Sequence, residues 1–85
     1  MPRYYLNLFD DLDVPDDEGD EFPDLAAARE AAIEGARSLM SDHVRYGQPI
    51  DLTHRIEIAD SSRNVVAILT FADVVKFRNA ARSVG

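Results

Sequence analysis

Between Asp10 and Asp24 the chain carries nine carboxylates and no base, and the helix-forming run from Leu25 to Ala32 follows at once. Crowded like charges cannot be packed into an apolar interior, so this block must lie in solvent as a connection between elements. Its last residue, Asp24, is a strong N-cap type, able to accept from the orphan amides of a first helical turn. The block therefore imposes an order on the fold: a strand before it, an acidic connection over residues 10–23, and a long helix after it.

The strand is Arg3 to Phe9, with Tyr4, Leu6 and Leu8 on one face and Tyr5, Asn7 and Phe9 on the other. Bulk on both faces predicts a strand inside the sheet. Pro15 and Gly19 punctuate the acidic loop, and Glu21-Phe22 can add a brief strand against the first. The helix is expected over residues 24–46, with Leu25, Ala28, Ala32, Ile33, Ala36, Leu39, Met40 and Val44 as its apolar stripe. Gly47 and Pro49 supply its stop. Gly35, costly in mid-helix, is expected to mark a close contact.

Arg55–Ala59 alternates cleanly, Asp60 to Asn64 is a run of turn formers, and Val65 to Phe71 is apolar on both faces. These predict a hairpin over 55–71 whose second strand is central, so that a charge at Ile68 should unfold the domain. A short helix over 73–82 completes the chain, with Val74, Val75, Phe77 and Ala81 as its apolar side. The fold class is α+β: a small antiparallel sheet of three to four strands, one long helix on one face and a short C-terminal helix, all in a single domain, 1–85.

The formal net charge of -7 is unevenly placed. Residues 1–24 hold nine acids against Arg3 alone, whereas residues 25–85 hold seven acids against eight bases. No basic stripe is available to neutralise phosphates, which argues against direct nucleic-acid binding. The absence of cysteine rules out disulfides and thiolate metal sites and favours a reducing compartment. No segment resembles a signal peptide or a membrane span, so a cytoplasmic protein is expected.

Three segments together carry a resemblance. The opening Met1-Pro2-Arg3-Tyr4-Tyr5, the Asp17-Glu18-Gly19 to Ala28 segment and the late Ile56-Glu57-Ile58-Ala59-Asp60 resemble a family of short uncharacterised proteins, a domain of unknown function common in rhizobia and related alphaproteobacteria. The likeness runs from Met1 to about Phe77 and implies a bacterial single-domain protein with no assigned activity. Glu18-Gly19 with Phe22-Pro23-Asp24-Leu25 is also similar to HicB-type antitoxins, in which a further stretch separates this segment from the helix. That partial likeness implies a regulatory partner of a small toxin.

The chemistry offered by the side chains is thin. Asp11, Asp13 and Asp16 are the candidate ligands for a divalent cation, but Pro15 and the late Gly19 break the spacing of a calcium loop, and a solvated, self-repelling loop is the simpler reading. His43 and His54, with Asp42 or Asp51, would be needed for zinc. Ser41 and His43 are two apart on a helix and cannot pair as nucleophile and base. The four glycines are scattered and make no phosphate cradle. No enzyme, cofactor or small-molecule substrate is expected. The apolar excess at Tyr5, Phe9, Val66, Ile68, Val74, Val75 and Phe77 exceeds what one helix can cover, and Tyr5, Phe9, Val74 and Phe77 are the expected interaction residues. The expected partner is protein, foremost a second copy of the chain.

Overall fold

The computed structural model describes residues 1–76. In chain order the elements are β1 (Arg3–Phe9), β2 (Asp13–Val14), β3 (Asp20–Glu21), α1 (Leu25–Arg45), β4 (Arg55–Ala59), β5 (Val65–Thr70) and α2 (Phe71–Val74). They form the expected α+β fold: an open antiparallel sheet, one long helix and a short C-terminal helix. The sheet has five strands in the order β2-β1-β4-β5, with β3 also on β1. Both two-residue strands come from the acidic block: β3 is the brief strand expected at Glu21-Phe22, one residue earlier, and β2 is the addition. So short a strand carries no alternating pattern from which to read it.

Helix α1 begins and ends on local signals. The Asp24 carboxylate accepts from the Ala27 amide at 2.9 Å. At the other end Gly47 takes φ +68°, its amide bonds Val44 O at 3.2 Å, and the Gln48 amide bonds His43 O at 2.8 Å. This paired closure needs a left-handed residue, which glycine adopts without steric cost. Ala28, Ala32, Ala36 and Met40, at intervals of four, are the buried line of the helix. Small side chains let α1 lie close on Ile56, Ile58 and Leu69, and Phe71 and Val74 complete the core. Val44 falls off the stripe and is exposed.

The hairpin forms as expected around Asp60, whose Oδ1 accepts from the amides of Ser62 and Asn64. Arg63 closes the turn at φ 69°. Its place in the sheet differs from expectation. β5 is an edge strand, because β1 and not β5 pairs with the other side of β4. Ile68 is accordingly 53% exposed. The last helix also starts earlier, at Phe71, capped by Thr70: Thr70 Oγ1 accepts from the Asp73 amide at 3.2 Å and Asp73 Oδ2 from the Thr70 amide at 3.0 Å. These bonds hold the Asp73 carboxyl below its ordinary pKa. Val75 is extended, which ends that turn, and the expected continuation to 82 lies from residue 77 outside the described residues. Gly35 marks no close contact, since a Cβ there would meet nothing within 4 Å. It borders a cleft of about 310 Å3 between α1 and β1, lined by Leu6, Leu8, Ala31 and Leu39 among others.

Candidate interaction surface

Alternation along the strands sends Tyr4, Leu6, Leu8, Ile56, Ile58, Ala67 and Leu69 toward α1. The opposite face carries three cross-strand rows, fixed by the register: Phe9–Arg55–Thr70, Asn7–Glu57–Ile68, and Tyr5–Ala59–Val65. The aromatic residues expected there as bare patches are each stacked by an arginine. The Arg55 guanidinium lies 4.5 Å from the Phe9 ring centre and that of Arg63 3.7 Å from the Tyr5 ring centre. Such stacks satisfy an aromatic face while keeping the cation near water. Arg55 is further held by Glu57 at 2.8 Å.

Tyr5 and Phe9 are therefore half-buried, and the apolar surface left open on this face lies further out, at Val66 and Ile68. Val74 does not belong to it. Its side chain is 4% exposed and sits in the core with α1, because α2 folds to the helix side of the sheet. Phe77, the fourth expected interaction residue, lies outside the described residues. Sequence reasoning missed the two stacking arginines. Their only signal was a pair of cations in or beside strands otherwise rich in apolar residues.

The acidic block turns out to be built onto the other edge. β2 pairs with Leu8 and Phe9, β3 with Arg3 and Tyr4, and the gap between is closed by Asp16. Asp16 Oδ2 accepts from the Leu6 amide at 3.1 Å and Oδ1 from the Gly19 amide at 2.9 Å, while its own amide donates to Asn7 Oδ1 at 2.8 Å. This carboxylate fastens backbone and departs from the expectation of a free, solvated acid. Two arginines tie the same loop through its carbonyls: Arg3 to Glu18 O at 2.7 Å, and Arg63 to Asp16 O and Asp17 O at 3.3 Å each.

Asp13 is exposed in β2. Asp11 lies beside the His54 ring, whose Nε2 is 3.5 Å from Asp11 Oδ1 and 3.4 Å from Asp51 Oδ2. The hydroxyl and amide of Thr53 hold the Asp51 carboxyl below its ordinary value. Asp11, Asp13 and Asp16 thus serve three different surroundings, and among the described residues no group of three His, Asp or Glu side chains is placed to hold a metal ion. His43 Nδ1 is taken up by Leu39 O at 2.8 Å.

A family model described as a domain of unknown function, DUF6894, matches residues 3–72. The chain belongs to that family. The matched DUF6894 region spans β1 through the first residues of α2, and so takes in the sheet, the acidic edge and the long helix of this chain. No curated protein and no solved structure matches the chain. No helix among the described residues is long and apolar enough to cross a membrane.

Proposed function

We propose that this DUF6894 chain is a non-enzymatic protein-interaction module that works in the bacterial cytoplasm and associates with itself through the open side of its sheet. One observation carries the reading: β5 is a six-residue strand without a charged side chain, at the sheet edge, with Val65, Val66 and Ile68 exposed at 51%, 42% and 53%. Exposed edges of this composition are normally blunted by lysine, proline or a covering element. An apolar cluster left in the open on a small domain gains stability when a partner buries it, at about 25 cal/mol per Å2. Sedimentation equilibrium tests it. A homodimer is expected at micromolar concentration with little dependence on salt; a single 9.5 kDa species persisting at hundreds of micromolar overturns the reading.

The exposed carboxylates of the acidic edge favour a second reading, a regulatory partner of a small basic protein of the antitoxin kind. A small basic open reading frame beside the gene would favour it, and its absence would count against it.

A further inference from the structure

The two long edges of the sheet are treated in opposite ways, and the ladder phase shows how. The Phe71 amide donates to His54 O and the Asp60 amide to Asn64 O. In an antiparallel pair the bonded positions alternate, so counting back from Phe71, Leu69 and Ala67 point their backbone groups at β4, while Thr70, Ile68 and Val66 point theirs outward; the Asn64 bond lies beyond the bulge at Ala59, where the phase shifts by one. The same alternation carried through β4 makes Tyr4, Leu6 and Leu8 the outward positions of β1, which agrees with the Leu6 amide being held by Asp16. On β1 every outward position is flanked by β2 or β3 or fastened by Asp16. On β5 the Thr70 amide is held by Asp73, and no described residue accepts from Val66 or Ile68.

We propose that the outer edge of β5 pairs antiparallel with β5 of a second copy about a two-fold axis through Ala67, joining the two sheets into one. This rests on the self-association reading and names its surface. The register follows from what is free. Placing Val66 opposite Ile68 of the second copy, twice over, uses both outward amides and both outward carbonyls of each strand. A register centred on Ile68 would oppose Val66 to Thr70, whose amide is already bonded. The chosen register also sets the β-branched side chains of Val66 and Ile68 against each other across the strands, a favourable pairing, and puts the smallest side chain of the strand on the axis, where the strands approach most closely. The bulge that sets Val65 and Val66 together opposite Ala59 begins at Val66, the last position of the paired stretch.

Charge selects a second copy as the occupant. Each chain carries -7, with nine acids in residues 1–24 on the β1 side. From β5 to β2 is three strand spacings, about 14 Å, beyond the screening length of about 8 Å at physiological salt. With no charged side chain on the strand itself and the Asp73 carboxylate only at its Thr70 end, the β5 edge is where two such acidic molecules meet with less repulsion than along β1, and a two-fold there sends the acidic edges to opposite ends.

Amide exchange on the full 85-residue chain reads the pairing directly. The Val66 and Ile68 amides are expected to slow by about tenfold or more between dilute and concentrated protein, while Ala67 and Leu69, bonded to β4, stay slow throughout. The chain has no native cysteine, so Ala67→Cys provides a single thiol on the proposed axis. Mild oxidation should link two copies rapidly, and Ser38→Cys on α1 should not, because a disulfide needs Cα atoms about 4.4–6.8 Å apart. A dimer whose Val66 and Ile68 amides exchange freely, or in which Ser38→Cys crosslinks as fast as Ala67→Cys, overturns the edge pairing and leaves self-association standing. A monomer with those amides fast at every concentration overturns both, and a monomer with them slow shows that the chain covers its own edge, which also overturns both.

Discussion

At Gly19 a Cβ would stand 2.7 Å from the Tyr4 carbonyl oxygen and 2.9 Å from the Tyr5 ring, on a backbone with φ +68°. At Gly35 it would meet nothing within 4 Å, on an ordinary helical backbone. The same substitution should therefore have opposite signs at the two positions. Gly19→Ala is expected to cost roughly 2 kcal/mol or more, from left-handed strain and a clash with rigid backbone. Gly35→Ala should gain about 0.5–1 kcal/mol from helix propensity alone, a rise in Tm of about 3–6 °C. Thermal melts of the two variants check both signs. Asp16 makes a similar contrast with its acidic neighbours. Asp16→Ala leaves the Leu6 and Gly19 amides without their carboxylate and should cost about 1–3 kcal/mol. Asp13→Ala, at an exposed position, should stay within about 0.5 kcal/mol by the same melts. Nothing in the sequence separates these aspartates, because the role of Asp16 depends on Leu6 and Asn7 arriving beside it from β1.

Elements whose limits are set locally were the legible ones. Asp24, Gly47 and Gln48 bound α1 through bonds made within a turn or two, and Asp60 bounds the hairpin in the same way. Strand order is a non-local outcome, and there the pattern misled. Apolar residues on both faces of β5 read as a central strand, whereas one of those faces is exposed and, among the described residues, no second strand pairs with its outer edge. The consequence reverses the expectation for Ile68. Ile68→Asp exposes its carboxylate to water and buries no charge, so the monomer should remain folded. The loss should be about 1 kcal/mol, the span of strand propensities. Circular dichroism melts at dilute concentration decide it, and a variant that does not fold would restore the buried-strand reading. The open face was half legible: the sequence placed Tyr5, Phe9, Val66 and Ile68 there, but the stacking of Arg55 and Arg63 on its aromatic rings needs the register.

The molecule as a whole is polar in charge along the sheet, acidic at the β1 side and without a charged side chain on β5 itself. Of the nine acids in residues 1–24, Asp10, Asp16, Asp20 and Asp24 accept backbone bonds that salt does little to weaken, but all except Asp16 and the half-buried Asp10 are exposed to water. Their mutual repulsion opposes folding, and it weakens as the screening length falls from about 30 Å at 0.01 M salt to about 8 Å at 0.15 M. Opposing this are ion pairs that salt also weakens: Glu21 with Arg3 at 3.8 Å and with the N-terminus at 3.6 Å. Exposed pairs of this kind contribute only about 0–1 kcal/mol, and acids exceed bases by seven over the chain. Repulsion should win, so Tm is expected to rise with sodium chloride over that range. The rise should shrink when Asp13 and Asp17 are both replaced by asparagine, which removes two charges and leaves Asp16 in place. Self-association through β5 should depend much less on the same salt, because the acidic block lies three strands away and β5 itself carries no charged side chain. Melts and sedimentation on the same samples separate the two effects; a Tm that falls with salt would mean that the ion pairs at β3 outweigh the acidic edge.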